Sequence, residues 1–126
     1  MAGYETPQEI ASAWIDDRRP TKRLDSMYAG SFRLDGQDCP ALFSYGPHFP
    51  LAIKTAAGIL VNADYYSRTT SRHQRATAFA LGDAGYLLAG TTMVGPMPFS
   101  VFRNPWISYD ADATERLNRQ AGVVAA

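Results

Sequence analysis

A single cysteine, Cys39, stands among the 126 residues. One thiol cannot close an intramolecular disulfide, which excludes a secreted fold held together by bridges. The chain has only two histidines, His48 and His73, so a structural zinc site lacks its ligands. No stretch approaches the roughly 18 apolar residues of a membrane-spanning helix. The opening MAGYETPQEI carries acid and proline where an export signal needs a basic head and an apolar run. Charge of one sign is missing as well: 12 Lys and Arg balance 12 Asp and Glu. That excludes a bulk-basic nucleic-acid coat and an acidic mimic of DNA. There is no Gly-x-Ser-x-Gly elbow, no His-Glu-x-x-His and no glycine-rich phosphate loop. These absences predict a cytoplasmic protein without membrane association, metal or cofactor, and give an enzyme no support.

What is present suits one packed domain over residues 1–126. Hydrophobic residues make up 46% and charged residues 19%, enough apolar material for a core and too little charge for disorder. Half of such a chain would be too small to bury a core of its own.

Thr6-Pro7-Gln8-Glu9 is a helix start, with a threonine cap, a first-turn proline and a glutamate able to reach back. Ile10, Ala13 and Trp14 then form an apolar stripe, and Pro20 bounds a helix predicted over 7–18. Met27 to Leu34 and Ala41 to Tyr45 read as strands around a tight turn at Asp35-Gly36-Gln37-Asp38. The run Gly46-Pro47-His48-Phe49-Pro50 interrupts the second strand. Leu51 to Thr55 and Ile59 to Asn62 read as a further hairpin around Ala56-Ala57-Gly58. A helix starting at Ser71 or Thr70, with Gln74 completing a capping box, is predicted to reach Leu81, with Ala76, Phe79 and Ala80 inward and Gly82 at its end. Tyr86 to Ala89 reads as a short strand and Gly90 to Phe102, rich in Gly, Pro and Met, as an irregular, partly extended segment. Asp112 with Glu115 offers a cap for a last helix over 113–120. The fold class is α+β: an antiparallel sheet of hairpins or a meander, with two or three helices packed on one face.

Few residues suggest chemistry. Cys39 lies beside Asp38, and a neighbouring acid disfavours the thiolate, so it reads as an ordinary half-buried cysteine. The carboxylate pairs Asp16-Asp17 and Asp110 with Asp112 sit beside helix ends, where capping and solvation account for them. His48, held between Pro47 and Pro50 with Tyr45 and Phe49 near it, suits a binding loop or a turn in which backbone groups satisfy the ring. Arg18, Arg19, Lys22 and Arg23 follow a helix end, where cations belong.

The segment from Tyr65 to Arg75 departs from local rules. A helix start prefers acids, yet Arg68, Arg72, His73 and Arg75 gather here with no acid between Asp64 and Asp83. With Thr69, Thr70 and Ser71, these cations resemble the makings of a phosphate or carboxylate site. Tyr65 and Tyr66 add surfaces for base stacking. The plain alternative is a solvated surface network in which the arginines pair with Asp64 and Asp83.

Phe43-Ser44-Tyr45-Gly46, Pro50-Leu51-Ala52-Ile53, Leu60-Val61-Asn62, Tyr66-Ser67 and Thr69-Thr70-Ser71-Arg72-His73-Gln74 together resemble a domain family of unknown function carried by bacteriophages, plasmids and other mobile elements. The resemblance covers roughly the middle third of the chain, and its Thr-Thr-Ser-basic-His-Gln core is its most specific part. This chain departs from the pattern by inserting Pro47-His48-Phe49. The resemblance implies a mobile-element setting and no catalytic residues. Three classes of function are therefore expected, in this order. The first is an accessory protein that binds a host protein complex stoichiometrically, such as an anti-CRISPR-like inhibitor of host defence. Next comes a nucleic-acid or phosphate-binding module using Arg68 to Arg75, and last a small enzyme using His48 and His73.

Overall fold

A computed structural model describes residues 6–17, 27–45, 50–65 and 67–120. His48, Tyr66 and the basic group Arg18, Arg19, Lys22 and Arg23 lie outside the described residues. The chain orders as α1 (Pro7–Ile15), β1 (Met27–Leu34), β2 (Gln37–Ser44), β3 (Pro50–Thr55), β4 (Gly58–Asn62), α2 (Arg68–Asp83), β5 (Leu87–Val94), β6 (Met97–Arg103) and α3 (Ala111–Gln120). All six strands join one antiparallel sheet in the order β1-β2-β3-β4-β6-β5. This is the α+β architecture expected: β1 to β4 form a meander, α2 crosses over it, and the β5–β6 hairpin adds with β6 beside β4.

Turn chemistry explains the hairpins. Asp35 and Gly36 both have positive φ, 52° and 79°, the backbone of a two-residue turn whose twist matches that of the strands it joins. β2 therefore begins at Gln37, earlier than the sequence suggests, and Pro40 lies where β2 has no β3 partner. The segment 90–102 is not irregular. Gly95 at φ 58° followed by Pro96 makes a two-residue turn, and Val94 pairs with Met97 across it. Glycine at the first turn position with a φ-locked proline at the second is a hairpin signal, here hidden within a run rich in Gly and Pro.

Strand alternation divides the core between the two sheet faces. On one face, Leu42, Ala52, Ile59 and Val61 pack with Ile10, Trp14 and Ile15 of α1 and with Ala80 and Leu81 of α2. On the other, Ala41, Phe43, Ile53, Leu60, Phe99 and Val101 form a second cluster, against which Leu117 of α3 is partly buried. The helices thus occupy both faces and not the single face expected, α3 being opposite the other two, because alternation leaves each face of the sheet with its own apolar cluster to cover. Phe79, expected in the core, is 65% exposed.

The capping box of α1 is present: the Thr6 hydroxyl accepts from the Glu9 amide and the Glu9 carboxylate accepts from the Thr6 amide. α1 stops at Ile15, short of Arg18, because Asp17 turns to φ 57°. There the Lys54 ammonium lies over the Trp14 ring, donates to the Trp14 carbonyl and pairs with Asp17 at 2.7 Å. A cation at a helix C-terminus is favoured by the dipole. α3 is capped by Asp110 and not by Asp112, since the Ala113 amide donates to Asp110 Oδ1 at 2.9 Å.

Candidate functional site

Helix α2 carries most of the candidate residues, and its phase decides their roles. Its N-cap is Ser67, whose Oγ accepts from the Thr70 amide at 3.1 Å. Ser71 and Thr70 therefore lie inside the helix and neither begins it. The helix runs on to Asp83, so Gly82 is within it and the left-handed residue beyond is Gly85, at φ 95°. Thr70, His73, Thr77, Ala80 and Leu81 face inward and are buried. Arg68, Arg72, Arg75 and Phe79, spaced by four, three and four residues, project outward on the opposite face. The expected cluster is thus divided: the guanidiniums stay on the surface, whereas His73 and Thr70 are part of the interior. Thr69 and Ser71 are half-buried beside them.

The inward face is a closed polar junction. His73 Nδ1 lies 2.8 Å from Ser44 Oγ at the end of β2, and Ser44 Oγ is 3.4 Å from Thr70 Oγ1. Ser67 Oγ donates to Thr70 Oγ1 at 3.1 Å, and Thr77 Oγ1 donates to the His73 carbonyl. One turn away, the Gln74 amide donates to the carbonyls of Asn62 and Asp64, both at 2.7 Å. The buried Asn62 side chain donates to the Pro50 carbonyl and accepts from the Asp64 amide. Burial, and then the neighbouring Arg72 charge, pull the His73 imidazole below its ordinary value. Exposed Tyr45, at φ 68°, sets its ring 6.2 Å from that of His73. A bulky residue in the left-handed region is strained and persists only where its surroundings hold it.

The junction residues are Ser44, Pro50, Asn62, Ser67, Thr70, His73 and Gln74. They fasten α2 to the ends of β2, β3 and β4. Sequence reasoning missed Ser44 as the partner of His73, although both lie in the quoted segments. Ser44 and His73 approach as a nucleophile and base would, but both side chains are buried, and their hydrogen bond holds helix to sheet.

The outward face has a different character. Among the described residues, none of the Arg68, Arg72 and Arg75 side chains has an ion-pair or hydrogen-bond partner. The acids that a surface network would use are engaged elsewhere. Asp83 accepts from Gln8 of α1 at 2.8 Å, and Asp64 accepts from the Tyr65 amide at 3.0 Å. Seven residues of helix separate Arg68 from Arg75, a row of about 10 Å. Tyr65, 69% exposed, precedes the row and Phe79 ends it. No acid stands in the first turn of α2, so Arg68 and the positive end of the helix dipole reinforce one another, with Arg72 and Arg75 following in the next turns.

The other candidates are chemically quiet. Cys39 is half-buried, its thiol pushed up by burial and then by Asp35 and Asp38. It lines a pocket of about 350 Å³ under α3 with Leu34, Leu60, Arg116 and Leu117, away from α2. Among the described residues no cluster of His, Cys, Asp or Glu is placed to hold a metal ion, and no helix is long and apolar enough to cross a membrane. Comparison with protein-family models, with curated proteins and with solved structures returned no match.

Proposed function

We propose that the chain is a stoichiometric binding protein whose contact surface is the outward face of α2, bounded by Tyr65 and Phe79. One observation carries this: Arg68, Arg72 and Arg75 form a row of unpartnered guanidiniums that folding does not require. Arginine and exposed aromatics are the residue types that concentrate binding energy at protein interfaces. The partner is an acidic protein surface, and the mobile-element resemblance suggests a host complex, inhibited by occupation in the anti-CRISPR manner. The zero net charge of the chain favours such a local contact over bulk attraction to a polyanion.

A second reading, a nucleic-acid module, is favoured by Tyr65, whose ring stands free beside the row and could stack on a base. Affinity purification from host lysate, with and without nuclease, separates the two. A protein partner is recovered at one-to-one stoichiometry in both arms; recovery that vanishes with nuclease supports nucleic acid. The double variant Arg72→Glu, Arg75→Glu should keep its fold, since both side chains are exposed and outside the core, and should lose the partner. For nucleic acid, losing two phosphate contacts flattens the slope of log affinity against log salt by about two units. Unchanged capture by the folded double variant refutes the assignment of this face.

A further inference from the structure

The uncharged β5 edge offers an interaction surface separate from α2. From Ala84 to Phe102 the sequence holds no charged residue, and β5 ends the sheet with only β6 beside it. The opposite edge, β1, is guarded differently: it carries Arg33, paired with Asp38 at 3.1 Å. An open edge presents a row of backbone donors and acceptors, and charges or prolines are the usual protection against pairing. β5 has neither, and it displays Leu88, 53% exposed, and Met93, 50% exposed.

The register of β5 singles out its own sequence as the complement. A bulge between Leu88 and Gly90 shifts the pairing, so that Leu88 lies opposite Phe102 and Met93 opposite Pro98. Phe102 and Pro98 are four residues apart on β6, so Leu88 and Met93 share one sheet face although five residues separate them. With Leu88 and Ala89 together taking one step of the bulge, antiparallel pairing of two β5 strands about a twofold axis at Thr91 then sets Leu88 of one protomer opposite Met93 of its partner, twice. It leaves no charge without a counter-charge. Beside the start of the strand, where the Asn104 side chain donates to the Ala84 carbonyl, Trp106 stands 91% exposed and widens the apolar border.

We propose that β5 is a self-association edge, pairing antiparallel with β5 of a second copy of this chain to join two sheets into one of twice the width. One strand pair with a few apolar contacts lies at the small end of interface sizes, so the dimer is weak and reversible.

Sedimentation equilibrium of the full chain, from about 1 µM to about 300 µM, bracketing affinities typical of small interfaces, should reveal a monomer–dimer equilibrium. Leu88→Lys and, separately, Met93→Lys should each weaken association at least about tenfold by placing charge in the seam, with the melting temperature unchanged. Two such variants keep the test decisive if one fails to fold. Register is tested with Leu88→Cys, Met93→Cys in a Cys39→Ser background. The two new thiols are about 13 Å apart along one strand, four ladder steps, beyond the reach of an intrachain disulfide, so oxidation should yield a covalent dimer. A wild type that stays monomeric throughout, a dimer that survives both lysine substitutions, or a double-cysteine chain that does not crosslink would overturn the proposal. Retention of a different protein by the β5 edge, with the chain itself monomeric, would also overturn it.

Discussion

The two faces of α2 share one helix and nearly opposite chemistry. Inward, Thr70, His73 and Thr77 are polar and buried, each hydrogen-bonded to β2, the cap or the helix backbone. Outward, Phe79 is apolar and exposed among unpartnered arginines. The first turns of α2 reverse the usual amphipathic arrangement, whereas Ala80 and Leu81 keep it near the helix end. Burying polar groups is tolerable when every one is satisfied, and it places the helix more specifically than an apolar stripe would. The exposed aromatic contributes little to folding. On this helix, specificity of docking and capacity for contact lie on opposite sides.

The comparison breaks most visibly where the inward face meets the hydrophobic core. Trp14→Ala on α1 should cost about 3–5 kcal/mol and Leu81→Ala about 2–5 kcal/mol, because each empties a close-packed site between α1, α2 and the sheet. Phe79→Ala, of comparable size but outward, should stay within about 0.5 kcal/mol. Chemical denaturation of the three variants checks this, and a large effect at Phe79 would place it in an interior contact.

The next effect is at the polar junction. Ser44→Ala removes the partner of His73 and leaves a buried ring nitrogen unsatisfied, a cost of about 1–3 kcal/mol. Urea denaturation at neutral pH measures it, and Ser44→Cys, which keeps a weak donor, should recover part of the loss.

The cap gives a smaller, sharper contrast. Ser67→Ala should lose about 1 kcal/mol, as other N-cap serines do, while Ser71→Ala, inside the helix, should change stability by less than about 0.5 kcal/mol. Thermal melts of the two variants, read side by side, test which serine begins α2.

The smallest effect is in pH. His73 has its folded value lowered below 6.5 by burial and by Arg72, so the unfolded chain takes up a proton more readily. The stabilisation from a neutral His73 is complete above about pH 6.5. It is lost as pH falls from there through the lowered folded value, and levels off below it. His73→Gln should remove that dependence, which denaturation curves between about pH 7.5 and pH 5 would display.

Much of the framework was legible because its signals are local. Thr6 and Glu9 lie three residues apart and cap α1 through one turn of backbone. Asp35-Gly36 dictates its hairpin through two dihedral pairs. Gly95-Pro96 is equally local, but the surrounding glycine and proline masked it, and with it the pairing of β5 and β6. For α2, the apolar residues Ala76, Phe79 and Ala80 suggest one inward face, whereas the buried polar contacts of Thr70, His73 and Thr77 set another, and Phe79 is left outside.

By itself, then, the sequence determined the class of fold, the first helix, the early hairpins and the concentration of cations between residues 68 and 75, since each depends on neighbours in the chain. Only the tertiary structure decided which of those residues would face solvent. Ser44 lies 29 residues from His73, and the buried imidazole is acceptable only because β2 delivers that hydroxyl to it. Once the junction forms, the 3.6-residue helical period leaves Arg68, Arg72 and Arg75 no direction but outward.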